Sequence, residues 1–416
     1  MKHAINRNAA ALALVGASAQ AVAGGFAVGT QSGSGTGNAF AGGAAAAEDA
    51  STVWYNPAGM SHLSAGRHAA IAAHALKPSF KFGNVASSGV FANPGTGEGG
   101  DGGDWALVPQ AFFVTDLAGN LKFGAAFNVP FGLKTQYDGG WRGQLAALKS
   151  EIKTFNVNAA LSYKVSDTFA VGAGISWQRL EAELTNFAGA AGTAKVDADD
   201  DSWGFNVGVM YSPSPATRIG AHYRSSIDYD LNGNIAFSSN AAGNGAAKAD
   251  LTVPESFSLS VFSAVSPSWE VMGDVTWTRW NRLQRLDVVR TTLAPGALLN
   301  RLTLRWDNTV RISVGANYRP NAAWKLRFGV AYDPTPTNDV DRTPRLPDQD
   351  RLWTAIGAQY RLSKTSTLDF GYAHEFIRDS SVNVPVPGFA TCAAGCLNGR
   401  FDNKADIFSV QLNLAF

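Results

Sequence analysis

From about residue 67 to the last residue, apolar and polar positions alternate in strand-length runs separated by turn-rich stretches. Over 403–416 one face carries Phe408, Val410, Leu412, Leu414 and Phe416, and the other carries Ile407, Ser409, Gln411 and Asn413. Strand side chains alternate at period two, so the two faces meet different media. The pattern recurs where Trp324, Leu326, Phe328, Val330 and Tyr332 interleave with Lys325, Arg327, Gly329 and Ala331, and where Val310, Ile312 and Val314 interleave with Arg311, Ser313 and Gly315. Short turn-forming connections fall at 116–120, 165–167, 212–215, 266–267, 319–321 and 362–364. Longer polar or glycine-rich ones fall at 83–104, 139–150, 186–200, 236–249, 290–301, 337–350 and 380–402. Both sets use turn chemistry. Joined in this order they predict an all-β fold, a 14-stranded antiparallel transmembrane β-barrel over 67–416, with its apolar face in lipid and its long loops outside the cell. The chain also ends on an aromatic residue in a strand, which resembles the assembly signal of bacterial outer-membrane proteins.

Composition sharpens this picture. No run in the expected mature chain approaches the ~18 apolar residues of a membrane helix, so entry into a membrane requires a closed barrel. Tyr163, Tyr211, Trp269, Tyr318, Trp324 and Tyr360 lie near the short turns, while Trp105, Trp141, Trp177, Trp203, Trp277, Trp306 and Trp353 lie toward the long loops. Two aromatic girdles follow. A net charge of +1 gives no reason to expect a nucleic-acid partner. Lys2 and Arg7, the apolar stretch 9–15 and Ala21-Val22-Ala23 read as a signal peptide over 1–23, with the mature chain starting at Gly24. Residues 24–66 do not alternate. They read as small-residue turns and short helices, too poor in apolar residues to form a core alone, and are expected inside the barrel as a hatch. The Gly33, Gly35, Gly37 spacing is not a nucleotide loop, because no strand precedes it.

Catalytic and metal chemistry are not expected. The histidines lack metal-ligand spacing, and alternation places His374 on the lipid face, away from Asp369. Asp197, Asp199, Asp200 and Asp201 lack the glycine and distal glutamate of a calcium loop, which leaves contact with cation-bridged lipopolysaccharide or plain solvation. Cys392 and Cys396 form a C-x3-C pair without further ligands, so a local disulfide is expected in preference to a metal. Pro130 falls mid-strand and Pro109 falls on the preceding strand, where proline cannot donate to the ladder. They read as weakening one seam, either as a lateral exit between strands two and three or as a harmless bulge. The segment 141–148 reads as a short helix that lines an outer groove or caps the mouth.

Three stretches carry a resemblance. Gly33-Ser34-Gly35-Thr36-Gly37-Asn38-Ala39-Phe40-Ala41-Gly42, Glu48-Asp49-Ala50-Ser51-Thr52 and Tyr55-Asn56-Pro57-Ala58-Gly59-Met60 resemble the hatch of the FadL/TodX family of outer-membrane transporters of hydrophobic compounds. Asn128-Val129-Pro130-Phe131-Gly132-Leu133, Pro254-Glu255-Ser256 and Arg342-Thr343-Pro344-Arg345-Leu346-Pro347-Asp348 follow in the family's order. The resemblance implies a bacterial outer-membrane barrel whose hatch blocks the lumen. It implies uptake of long-chain fatty acids, or of monoaromatic or alkane hydrocarbons, through a lumenal pocket and a gap in the wall. It maps the family's gating tripeptide onto Asn56, Pro57 and Ala58, and the wall kink onto Pro130 with Phe131 and Gly132. A turn is the plainer reading of Asn-Pro. For a ligand carboxylate, Arg311, Lys325 and Arg327 on the lumen face are the candidates, with Arg361 near them. A wall charge ladder with Glu270, Asp274, Asp333 and Asp369 is the alternative reading. A general porin or a surface adhesin is the alternative of another class. Nothing in the sequence demands more than a monomer.

Overall fold

In the computed structural model, which describes residues 24–93 and 95–416, the alternating segments form fourteen antiparallel strands in chain order. These are β1 (Arg67–Asn84), β2 (Ala106–Ala118), β3 (Leu121–Asn128 and Gly132–Gln136), β4 (Lys149–Lys164), β5 (Phe169–Phe187), β6 (Thr193–Ser214) and β7 (Thr217–Arg224 and Ile227–Phe237). They continue as β8 (Gly245–Val253 and Ser256–Ala264), β9 (Trp269–Thr278), β10 (Thr309–Tyr318), β11 (Trp324–Asp333), β12 (Arg351–Arg361), β13 (Ser366–Ile377) and β14 (Cys396–Ala415). The barrel closes where β14 pairs with β1, from His68 opposite Ala415 to Asn84 opposite Gly399. The expected signal peptide lies outside the described residues.

The polarity is inverted relative to a soluble sandwich. Trp203, Phe205, Val207, Val209 and Tyr211 are exposed along β6, as are Val310, Ile312 and Val314 along β10 and Phe328, Val330 and Tyr332 along β11. Inside, Asn156, Asn158, Ser162, Asn206 and Gln411 are buried. Such an exposed apolar belt would drive aggregation in water, but in a bilayer it is the solvated face. From Trp203 to Tyr211 a strand rises ~27 Å, or roughly 20 Å of height at barrel tilt, close to the ~25 Å apolar band of such proteins.

Several expected loops are strands instead. Two thirds of the stretch 186–200 lies within β5 and β6, which pair up to Phe187 opposite Thr193 and leave 188–192 as the connection, so Asp197, Asp199, Asp200 and Asp201 sit on a ladder. Half of 236–249 is strand, at the ends of β7 and β8, with 238–244 the loop between them, and 290–301 belongs to a hairpin of Arg285–Arg290 with Leu298–Thr303. Above the bilayer both faces are wet, so the apolar alternation that marks a strand disappears while its hydrogen bonds persist. The segment 141–148 forms turns in place of a helix, and Trp141 is fully buried, stacked on Tyr137 with ring centroids 4.4 Å apart. It packs with Phe80, Phe82, Phe91, Leu397 and Phe401 in an apolar cap. Cys392 and Cys396 are bonded to each other.

Residues 24–66 fill the lumen with three one-turn helices, α1 (Gly33–Thr36), α2 (Gly43–Ala46) and α3 (Thr52–Tyr55), followed by a 3-10 segment, Pro57–His62. Small residues in the wall let this segment approach. A Cβ on Gly329 would lie 2.0 Å from the backbone of Asn38, and one on Gly208 would lie 2.0 Å from Asn56 Oδ1. Any side chain at either position would push the hatch off the wall.

Candidate functional site

The hatch is seated by charge. Glu48, between α2 and α3, accepts from Arg327 at 2.8 Å and Lys325 at 3.1 Å. Arg327 also meets Asp369 at 2.9 Å, and Lys325 lies 3.4 Å from Glu270. Burial alone would raise the Glu48 carboxyl, but Arg327 and Lys325 outweigh it and hold the group far below the ordinary carboxylate range. Two of the expected ligand cations are therefore already occupied by the protein's own carboxylates, one of them from the hatch. Arg311 donates to the Ala39 carbonyl at 2.8 Å and stands 3.9 Å from Asp333. Arg361 is exposed at the end of β12. On the outer face His374 and Tyr372 both bond to Asp406, at 2.8 and 2.7 Å.

Asn56 is fully buried and caps the segment it starts. Its Oδ1 accepts from Ala58 N at 3.0 Å, and its Nδ2 donates to Ala44 O at 2.8 Å and to Val209 O on β6 at 3.0 Å. Pro57 occupies the first position, where its missing N–H costs nothing. The tripeptide thus makes a turn and ties that turn to the wall. His62, at the end of the segment, bonds Ser212 at 2.9 Å, and burial together with Arg218 and Lys164 lowers its imidazole to about 4.

Beside the hatch lies a cavity of about 200 Å³. Its walls include Phe40, Trp54 and Tyr55 from the hatch, Ser256, Ser258 and Thr276 from the barrel, and Pro130 and Phe131 from the break in β3. Two cations line it, Arg311 and Arg224, together with the carboxyl groups of Asp274 and Asp333. Arg224 lies flat over the Trp54 ring at 3.5 Å and donates to the Trp54 carbonyl at 2.9 Å. Among the described residues no carboxylate lies within 4.0 Å of it. His222 beside it is buried, and its Nε2 has no hydrogen-bond partner. Arg224 was missed in the sequence, although alternation from Ile219, Ala221 and Tyr223 puts Gly220, His222 and Arg224 on the lumen side.

The wall opens next to this cavity. β2 and β3 pair from Ala118 opposite Leu121 only as far as Ala111 opposite Phe127. Beyond that point Ala106–Gln110, including Pro109, pair with β1 alone. β3 resumes at Gly132 after Val129, Pro130 and Phe131. The freed backbone is taken up by the arm that starts the hatch: Val28 N donates to Pro130 O at 2.9 Å, and Gly132 N donates to Phe26 O at 2.8 Å. A proline here removes one donor and leaves its carbonyl to the arm. The ladder between β6 and β7 is also interrupted, from Asn206 opposite Arg224 to Asp199 opposite Asn232, but the buried side chains of Ile227 and Tyr229 fill that place. Among the described residues no group of three or more His, Cys, Asp or Glu is arranged to hold a metal ion.

A closed barrel with a lipid-facing belt, a lumen filled by its own N-terminal segment and a cavity leading to a break in the wall defines a plugged outer-membrane channel. The chain belongs to the outer membrane protein transport protein family (OMPP1/FadL/TodX), whose model matches residues 14–416. It is 28% identical over 414 residues to outer membrane protein P1 of Haemophilus influenzae, covering 89% of each chain. It is 25% identical to the long-chain fatty acid transport protein of Escherichia coli (strain K12), covering 100% of this chain and 99% of that one. The crystal structure of a Pseudomonas aeruginosa FadL homologue superimposes with a TM-score of 0.84 at 26% identity, covering 94% of this chain and all of the other. That of the Pseudomonas putida toluene transporter TodX, with a TM-score of 0.66 at 15% identity over 92% and 98% of the chains, shares the fold. The chain is an outer-membrane transporter of hydrophobic compounds.

Proposed function

We propose that the chain takes up long-chain fatty acids, binding them in the lumenal cavity and releasing them sideways through the β2–β3 seam. The observation that carries this reading is Arg224, a cation facing the cavity whose contacts are the Trp54 ring and carbonyl and the Ser176 hydroxyl at 3.4 Å, with no carboxylate within 4.0 Å of it among the described residues. A ligand carboxylate would complete its hydrogen bonding and its charge together. Arg311 lines the same cavity and is the second contact. Lys325 and Arg327, tied to Glu48, hold the hatch and act on the ligand only through it.

The cavity is smaller than the ~300 Å³ at which ordinary ligand pockets begin, so it holds a head group and the first methylenes. The remaining chain enters when the arm 24–31 moves, because Phe26 packs among Phe131, Trp280 and Trp306 with ring centroids 5.2 to 5.7 Å away. Asn56, Pro57 and Ala58 act as the hinge that keeps the rest of the hatch on the wall. A sideways exit suits the chemistry. Each buried CH2 gains ~0.8 kcal/mol, so releasing a chain of about sixteen carbons into water costs roughly 10 kcal/mol, a cost that passage into lipid avoids.

A second reading is uptake of small hydrocarbons. The cavity volume favours it, since one aromatic ring fits without movement of the arm. The seam from β14 back to β1 needs no second copy, which supports a monomer. The acidic upper part of β6 supports contact with cation-bridged lipopolysaccharide. Equilibrium binding of labelled palmitate to the purified barrel, with toluene as competitor, tests the substrate. Saturable binding that toluene does not displace and that Arg224→Met weakens at least tenfold supports the acid. Full displacement by toluene, with no effect of Arg224→Met, replaces it with the hydrocarbon.

A further inference from the structure

Three carboxylates are buried together where the arm ends: Asp333 at the end of β11, Asp348 before β12 and Glu375 on β13. Two guanidinium groups answer them. Arg351 pairs with Asp348 and, at 2.9 Å, with Glu375. Arg311 stands 3.9 Å from Asp333 and spends a donor on the Ala39 carbonyl. Arg342 also touches this place, but through the Asp348 carbonyl, and it gives its charge to Asp339. Three carboxyl groups thus face two guanidinium groups, and Glu375 Oε1 has no hydrogen-bond partner. No side chain here supplies a counter-charge for a third ionised carboxyl, so full ionisation of the cluster leaves one cation wanting.

Besides the Thr335 hydroxyl, which donates to Asp348 Oδ2, the atoms that complete the cluster are backbone nitrogens. Gly24 N donates to Asp333 Oδ2 at 3.1 Å, and Gly25 N donates to Asp348 Oδ2 at 2.8 Å. Gly24 is the residue that follows the Ala21-Val22-Ala23 signal, which lies outside the described residues. We infer that removal of the leader makes Gly24 N the wanting cation: its α-ammonium pairs with Asp333 and pins the arm across the cavity. The balance is simple. A signal peptidase adds water across the Ala23–Gly24 amide, leaving a carboxylate on Ala23 and a primary amine on Gly24. That amine, with an ordinary pKa of about 8, takes up a proton at neutral pH. In the precursor the same nitrogen is a neutral amide, so it offers one hydrogen bond and no charge. Leader removal is then the step that seats the arm, drawing Phe26 into its aromatic cluster and bringing Val28 N onto Pro130 O.

No substituent larger than hydrogen suits the site, since a Cβ on Gly24 would lie 2.9 Å from the Pro334 carbonyl. An ammonium does not need more room than the amide it replaces.

The inference concerns the arm and stands whichever ligand is carried. Its test is the reactivity of the α-amine of the protein purified folded from outer membranes, measured by acetylation with an N-hydroxysuccinimide ester across a pH series and read by mass spectrometry of the N-terminal peptide. The expected result is a peptide beginning at Gly24. Its labelling should be far slower, with a higher pH midpoint, than in the denatured protein. Asp333→Asn should speed the labelling and lower the midpoint while leaving the folded barrel's electrophoretic mobility unchanged. A variant with Ser-Ser inserted between Ala23 and Gly24 leaves the wall intact and should label as fast as a free terminus, which keeps the test open if Asp333→Asn does not fold. A peptide beginning elsewhere, or a native amine that labels at the denatured rate, overturns the inference. An unshifted midpoint in both native protein and Asp333→Asn reduces the protection to burial and also overturns it.

Discussion

Asn128, the last residue of β3 before the break, donates its side-chain amide to Gln31 Oε1 in the hatch at 3.0 Å. Gln110, on the facing strand, reaches the same oxygen at 3.4 Å. One hatch side chain therefore ties both lips of the seam exactly where their own ladder stops, and Gln31 Nε2 adds a bond to Val129 O at 3.0 Å. A hatch that moved would pull on both lips of the seam through this residue. Replacing Gln31 with Ala should raise hydrogen exchange at 106–110 and 126–131 by an amount matching ~1 kcal/mol per lost bond. Exchange confined to the hatch, with the seam unchanged, would separate the two motions.

The seat at Glu48 makes a stronger demand. Glu48→Gln leaves Lys325 and Arg327 short of one buried counter-charge, and breaking such a pair costs about 3–5 kcal/mol. The expected outcome is a hatch that leaves the wall often enough to give ion-conducting bursts in planar bilayers, where the parent is nearly silent. Equal conductance in both proteins would remove Glu48 from the seat.

Arg224→Met should weaken palmitate binding by about 1.5–3 kcal/mol, roughly ten- to a hundredfold in Kd, while a hydrocarbon of equal length binds as before. Isothermal titration on the two proteins measures both. Equal losses for acid and hydrocarbon would mean that Arg224 shapes the cavity and does not read a charge.

How much of this was legible in the chain is uneven. Alternation alone put Arg311, Lys325 and Arg327 in the lumen, because a wall between lipid and a polar interior imposes period two on every residue. It carried no information on what they meet there. The hatch has no such period, and a contact between residues 48 and 327 leaves no trace in either local pattern. The acidic stretch 197–201 misled for the opposite reason: a strand that stands in water on both faces has the composition of a loop. Pro130 was legible because its missing N–H is a property of the residue itself, whereas Gln31, which answers the break, is chemically ordinary.

Acid should loosen one end of the hatch before the other. His62 has its folded-state pKa lowered to about 4 from an ordinary 6.5, so the unfolded segment binds more protons between these values. Its contribution is complete above about 6.5 and is lost as the pH falls toward 4. Limited proteolysis near Pro57–His62 should accelerate over that window and become flat in His62→Gln. The Glu48 seat, whose pKa is depressed far below the carboxylate range, should hold throughout.

The proposed exit for the cargo is the β2–β3 seam. Continuing the register past Ala111 opposite Phe127 sets Pro109 opposite Val129, so Pro109→Cys with Val129→Cys staples the seam. The decisive measurement is uptake of radiolabelled palmitate by cells that lack their own long-chain fatty acid transporter and carry the stapled barrel, oxidised and then reduced. Uptake should vanish on oxidation and return on reduction, with palmitate still recovered bound to the oxidised barrel. Undiminished uptake through an oxidised, fully stapled seam would rule out the lateral exit.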